Sequence, residues 1–180
     1  MAAGRPDAAE PLLREAVELR RRYYGPSAAT AALLSNYGKL LLGSGQAAAA
    51  APLLREAAAM GSQYAGRGSM HHVAAQSGAA EAALQLGELD GAEQASADAL
   101  AAALDTLGPD HPATAMASLA LAQVRLVQRR PGEAGALLAE VERIAASAAG
   151  TVGTRLGDQL RAVRLRHGLV PASGTARPSP

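Results

Sequence analysis

Pro11-Leu12-Leu13-Arg14-Glu15-Ala16 returns unchanged as Pro52-Leu53-Leu54-Arg55-Glu56-Ala57, 41 residues later. Looser copies follow at steps of 42. Gln94 to Ala99 stands in the third position. Gly135 to Val141 stands in the fourth, where Leu137-Leu138-Ala139-Glu140 echoes Leu-Leu-Arg-Glu. Self-similarity at a fixed period of this size marks a repeat array, in which each unit buries its apolar face against its neighbours. The 180 residues therefore read as one short array rather than a domain with a single central core.

Composition sets the type of unit. The chain is 49% hydrophobic, yet it has no Phe, Trp or Cys and only four Tyr. Its apolar content is mostly Ala and Leu. Ala has the highest helix propensity and the least bulk, which suits close helix packing. Sheets draw on Val, Ile and aromatic side chains, which are scarce here. The expected fold class is all-α. The lack of Cys excludes disulfides, thiolate catalysis and Cys-based zinc sites. No stretch approaches the ~20 apolar residues of a membrane span, and the first residues carry no signal-peptide pattern, so a cytoplasmic location is expected. Arg outnumbers Lys sixteen to one, a bias associated with GC-rich bacterial genomes.

Net charge is +1 but unevenly spread. Residues 1–67 carry an excess of three positive charges, residues 68–124 seven acidic groups and no basic ones, and residues 125–180 an excess of five positive charges. Along a solenoid this places an acidic middle between basic ends. It is read either as solvated surface or as an electrostatic footprint for partners.

Apolar residues at three- and four-residue steps predict helices over about 7–23, 28–42, 46–60 and 70–86, then from about 88 to 107, and over 112–128, 133–148 and 154–166. Gly25-Pro26 should end the first, with Ser27 capping the second. Pro11 and Pro52 lie inside helices and should bend them. Pro112 falls near a first helical position, where proline is tolerated. Residues 61–69 and 150–153 read as loops. The repeat domain is placed at 7–167, and the Pro- and Ser-rich residues 168–180 read as a disordered tail.

These residues resemble the tetratricopeptide repeat family, in the form of about 42 residues typified by kinesin light chain and by bacterial regulators. The resemblance rests on Leu107-Gly-Pro-Asp-His-Pro-Ala-Thr114 between repeats and on Tyr24-Gly-Pro-Ser-Ala-Ala-Thr30, one residue shorter. It rests also on Leu34-Ser-Asn-Tyr-Gly38 in a first helix and on the recurring Leu-Leu-Arg-Glu-Ala of the second. It implies a right-handed α-solenoid of antiparallel helix pairs, about three full repeats with a half-repeat at each end. Gly38, Ala80 and Ala122 then mark helix crossings that need a small residue, with Ala50, Leu54 and Ala57 on the second helix of repeat one, Ala92 and Ala99 on that of repeat two, and Ala134, Leu138 and Val141 on that of repeat three. The match is looser where Gly66-Arg67-Gly68-Ser69-Met70 replaces the inter-repeat signature, where Ser96 replaces a Leu, and where Arg125 occupies a usually apolar position.

Function is expected to follow the resemblance: a protein–protein interaction scaffold that binds a peptide or partner protein on the concave face lined by first helices. The residues implied are Ser35, Asn36 and Lys39 in repeat one, Ser77, Glu81 and Gln85 in repeat two, and Met116, Leu119 and Gln123 in repeat three. No catalytic, cofactor or metal site is expected. His71 and His72 are adjacent, so they point about 100° apart and cannot chelate one ion from one helix face. His111 belongs to the turn signature. The carboxylates of the middle helices have no pocket partner, and the Gly-rich spots lack a phosphate loop's Lys and hydroxyl. Two rival readings are a ligand- or peptide-responsive regulatory sensor and a nucleic-acid contact through Arg155, Arg161, Arg164 and Arg166. An unpaired first helix could also support homo-oligomers.

Overall fold

The computed structural model describes residues 6–169. They form eight helices and no strand: α1 (Pro6–Tyr23), α2 (Ala28–Gly43), α3 (Ala47–Ala65), α4 (Met70–Leu86), α5 (Leu89–Leu107), α6 (Pro112–Val127), α7 (Pro131–Ser147) and α8 (Gly150–Arg166). Each helix packs on the next in the chain. In addition α2 meets α4, α4 meets α6 and α6 meets α8, whereas α1, α3, α5 and α7 have no such contacts among themselves. The even-numbered helices thus form an inner row and the odd-numbered ones an outer, more widely spaced row. This is the right-handed α-solenoid of antiparallel pairs that the repeat predicts.

The repeat positions carry the core. Leu34, Ala50, Leu54, Ala57, Ala80, Ala92, Ala99, Ala122, Ala134 and Val141 are fully buried. Bulk is concentrated at the two ends. Leu34, Leu41 and Leu54 pack together in the first half, and Leu138, Val141, Ile144, Leu156 and Leu160 in the last. Between them a cluster of Val73, Ala99, Ala103, Ala113 and Ala117 holds α4, α5 and α6 with side chains no larger than valine at its centre. Small residues let these helices approach closely, so the middle is tight rather than bulky.

The turn signatures have a common physical basis. The Thr30 hydroxyl donates to the Gly25 carbonyl at 2.8 Å, and the Thr114 hydroxyl donates to the Gly108 carbonyl at 2.7 Å. Both glycines have positive φ, at 66° and 85°, and both threonines are 1% exposed. Ser27 accepts the Thr30 N–H at 3.1 Å, as the expected N-cap, and His111 Nδ1 accepts the Ala113 N–H at 3.1 Å. The shorter loop omits the counterpart of Asp110 and keeps the same lock of a buried Thr on a glycine carbonyl.

Several expectations are corrected. Residues 61–65, read as the start of a loop, continue α3, because Gly61 packs on α4: a Cβ there would lie 3.0 Å from the His72 Cα. Residues 150–153, read as a loop, form the first turn of α8, because Gly153 abuts the end of α7; its Cβ would lie 2.7 Å from the Ala145 carbonyl oxygen. Both glycines serve close approach rather than helix termination. Pro11 and Pro52 do lie inside helices, as expected, and on exposed faces, where water can satisfy the carbonyl that proline leaves without a donor. Gly168, at φ 65°, and Leu169 end α8 through bonds to the Leu165 and Arg164 carbonyls, and Leu169 packs back on the core in a Schellman arrangement. The rest of the expected tail, residues 170–180, lies outside the described residues.

Candidate partner-binding groove

The inner row curves around a groove of about 540 Å3. Asn36 and Lys39 line it from α2, Ser77 and Glu81 from α4, Met116, Leu119 and Gln123 from α6, and Arg155, Gln159 and Arg166 from α8. Gly43, Ala74, Gly78, Ala120 and Ala162 supply bare backbone or single methyls between them, which gives the groove its depth. Seven of the nine residues singled out from the sequence therefore share one cavity. The other two do not line it. Ser35 is 4% exposed, turned into the helix contact with its hydroxyl unpartnered. Gln85, a turn beyond Glu81, is exposed near the end of α4.

Sequence reasoning missed the α8 side. Arg155, Gln159, Ala162 and Arg166 follow one another at steps of four, three and four, which is a single helical stripe. That spacing was legible. What hid it is the grouping of Arg155 and Arg166 with Arg161 and Arg164 as one nucleic-acid contact.

Groove charge differs from the charge of the surrounding sequence. Of the seven acidic groups in residues 68–124, only Glu81 lines the cavity. Burial, and then Arg155, lower the pKa of the Lys39 ammonium below the ordinary lysine value, while Glu81 works the other way. Lys39 and Arg155 thus sense each other across the groove from the first and last helices of the inner row. Among the described residues no carboxylate lies within 4 Å of Lys39, Arg155 or Arg166. Arg166 meets only an amide, donating to Gln123 Oε1 at 3.4 Å.

Arginines outside the groove are satisfied differently. Arg125, flagged as a charge at an apolar position, reaches Glu93 at 2.5 Å and Glu133 at 3.0 Å with its side chain 13% exposed. Gln128 donates to the second Glu93 oxygen at 2.6 Å. This network joins α5, α6 and α7. Ser96, flagged beside it, is fully buried and donates to the Ala92 carbonyl at 2.7 Å, so it fills the place of a Leu without an orphaned hydroxyl. Arg164 pairs bidentately with Glu142 at 2.9 and 3.2 Å, and Arg161 pairs with Asp158.

Among the described residues no group of three or more His, Cys, Asp or Glu side chains is placed to hold a metal ion. His72 is buried with Nδ1 2.9 Å from the Ala58 carbonyl, while His71 is exposed. No helix of the described residues is long and apolar enough to cross a membrane.

A double row of helices around a polar groove defines the class of helical repeat scaffolds. Comparison with known proteins makes the assignment. Tetratricopeptide repeat patterns match residues 1–63 and 73–113, and the chain belongs to the tetratricopeptide repeat family. Repeats of this family generally mediate protein–protein interaction. Among solved structures the chain is similar to BtubC (BKLC) from P. vanneervenii, with TM-score 0.68 and 17% identity over 92% of this chain and 68% of that one. It is also similar to a putative kinesin light chain of nearly identical TPR-like repeats from Podosopora anserina. A variant form of that protein gives TM-score 0.66 and 19% identity over 93% and 90% of the two chains. A second structure of the same protein gives 0.65 and 19% over 91% and 89%. No curated protein matches significantly.

Proposed function

We propose that this chain is an adaptor module that holds a peptide or partner segment in the groove of its inner helices, and that it serves a bacterial signalling or regulatory protein. One observation carries this reading. Seven of the nine side chains expected to face a partner line a single cavity whose polar groups leave donors and acceptors free, whereas the outward arginines are largely engaged with carboxylates. Asn36, Gln123 and Gln159 offer amides of the kind that hold an extended backbone, and Met116, Leu119 and Val163 offer apolar contact between them. The engagement of Arg161 and Arg164 leaves α8 without the continuous outward cationic stripe that a nucleic-acid surface needs.

The test is site-directed photocrosslinking in the source cell. Benzoylphenylalanine at Gln123, inside the groove, is compared with the same group at Ala139, exposed on α7. A partner captured only from Gln123, and lost when Asn36→Ala and Lys39→Glu are added, supports groove binding. Capture only from Ala139 overturns it and moves the contact to the outer row.

A further inference from the structure

Helix α1 carries an apolar stripe that no described residue covers. Leu12, Ala16, Leu19 and Tyr23 recur at steps of four, three and four, which puts them on one helix face. Leu12 is 67%, Leu19 47% and Tyr23 65% exposed, and Ala16 is half-buried. Another side of the helix does the packing, with Val17 buried and Leu13 partly buried in the first core cluster. Among the described helices α1 packs on α2 alone, whereas every other helix has at least two neighbours.

The other outer helices show what this face is suited to. One repeat on, Leu53, Ala57, Met60 and Tyr64 stand at the same steps on α3, where Ala57 is fully buried and Leu53 and Met60 pack on the core. On α7 the same positions hold Leu137, Val141 and Ile144, the last two fully buried. The stripe of α1 therefore has the spacing and composition of a helix-contact face, and an exposed apolar face of this kind marks an interaction surface.

Its pattern selects the occupant. Leu12 and Tyr23 stand equally far from the midpoint between residues 17 and 18, and so do Ala16 and Leu19. When α1 is laid antiparallel on a second copy of itself about a two-fold axis at that midpoint, Leu12 meets the second copy's Tyr23 and Ala16 meets the second copy's Leu19. Small then faces large at the centre, as close helix packing needs. A parallel pair would instead set Ala16 against Ala16 and leave a gap. Charge agrees with the antiparallel arrangement. Glu15 and Arg22 are exposed, lie seven residues apart on one flank of the stripe, and have no ion-pair partner among the described residues. In the antiparallel pair that flank faces its own copy, so Glu15 of each chain approaches Arg22 of the other. Helix α8 offers no such match, because its stripe of Arg155, Gln159, Ala162 and Arg166 is polar.

We propose that α1 is a self-association surface, at which two copies of this chain pair antiparallel through Leu12, Ala16, Leu19 and Tyr23, with Glu15 and Arg22 closing the edge. One helix pair is a small interface, so the dimer forms and dissociates with protein concentration. No residue of α1 lines the groove, so the pair leaves both grooves open and makes the adaptor bivalent.

Sedimentation equilibrium of the full chain over a wide concentration range should show monomer passing into dimer. Leu19→Asp should abolish the dimer. Glu15→Arg should weaken it roughly tenfold at low salt, and adding Arg22→Glu should restore it, since the exchanged charges still meet. That recovery separates pairing from damage to α1. The chain has no Cys, so Leu12→Cys and Tyr23→Cys proteins, mixed and oxidised with diamide, report the orientation. Like positions lie roughly 16 Å apart along an antiparallel pair, so mixed disulfides should exceed like ones. Leu165→Ser, at the exposed leucine of α8, should change nothing. A monomer at every concentration, a dimer indifferent to Leu19→Asp, no recovery in the charge-exchanged variant, or an excess of like disulfides overturns the proposal. Loss of the dimer with Leu165→Ser overturns it too and moves the contact to α8.

Discussion

A Cβ on Gly38 would lie 2.6 Å from Cγ of Leu54, well inside van der Waals contact. The crossing of α2 and α3 therefore leaves no room for a side chain at position 38, and it closes around a fully buried leucine. Gly78 on α4 approaches the same side chain, where its Cβ would lie 2.9 Å from Leu54 Cδ2. Leu54 thus ties one repeat to the next through two glycines. Gly38→Leu should destabilise by roughly 1–3 kcal/mol through overpacking, and Gly78→Ala should be felt too. Urea denaturation followed by circular dichroism measures both, and an unchanged midpoint for Gly38→Leu would refute the crossing.

The Thr-to-glycine lock predicts a matched pair of effects. Thr30→Val and Thr114→Val keep the shape of the side chain but remove its donor, leaving the Gly25 and Gly108 carbonyls one partner short. Each should cost about 1 kcal/mol, and the two should add, since the loops lie two repeats apart with no shared partner. Denaturation midpoints of the single and double variants test this.

The Arg125 network makes stability depend on acid and salt. Hydrogen bonds from Gln128 and then Arg125 hold the Glu93 carboxyl below its ordinary value of 4.5. A depressed carboxylate contributes stability that is present above its unfolded pKa and is lost as pH falls through the folded one. The Glu93 contribution should therefore be complete above about pH 4.5 and fade below it, and Glu93→Gln should flatten that part of the stability profile. Arg125→Ala should lower the denaturation midpoint, with less than additive loss when combined with Glu93→Gln.

Lys39 gives a slope of the same sign at high pH, but from a charge that folding disfavours. Its folded pKa lies below 10.5, so the unfolded chain binds more protons between the two values and stability should rise with pH across that window. Lys39→Met removes the buried charge. It should raise the denaturation midpoint and weaken partner binding in the proposed groove at once, a trade between stability and function. A midpoint that falls instead would mean that Lys39 gains more from its surroundings than burial costs it.

The repeat period, the all-α class, the inter-repeat turns and the small residues at crossings were all legible in the chain. Each depends on neighbours in sequence or on a periodic pattern, and Gly25, Ser27, Thr30 and Gly38 state it locally. The extent of α3 and α8 was not. Gly61 and Gly153 carry the same letter as a helix terminator, and only the helix packed against them shows that they serve contact.

The candidate groove divides the same way. The family resemblance implied the face that holds Asn36 with Lys39, Ser77 with Glu81, and Met116 and Leu119 with Gln123, and each set fits one helix face because residues three and four apart lie together. That Lys39 and Arg155 line one groove from 116 positions apart follows from the stacking of four inner helices, which no local pattern encodes. The acidic middle of the chain likewise does not make an acidic groove. Charge along the sequence sums over every face of a helix, and only tertiary packing decides which face turns inward.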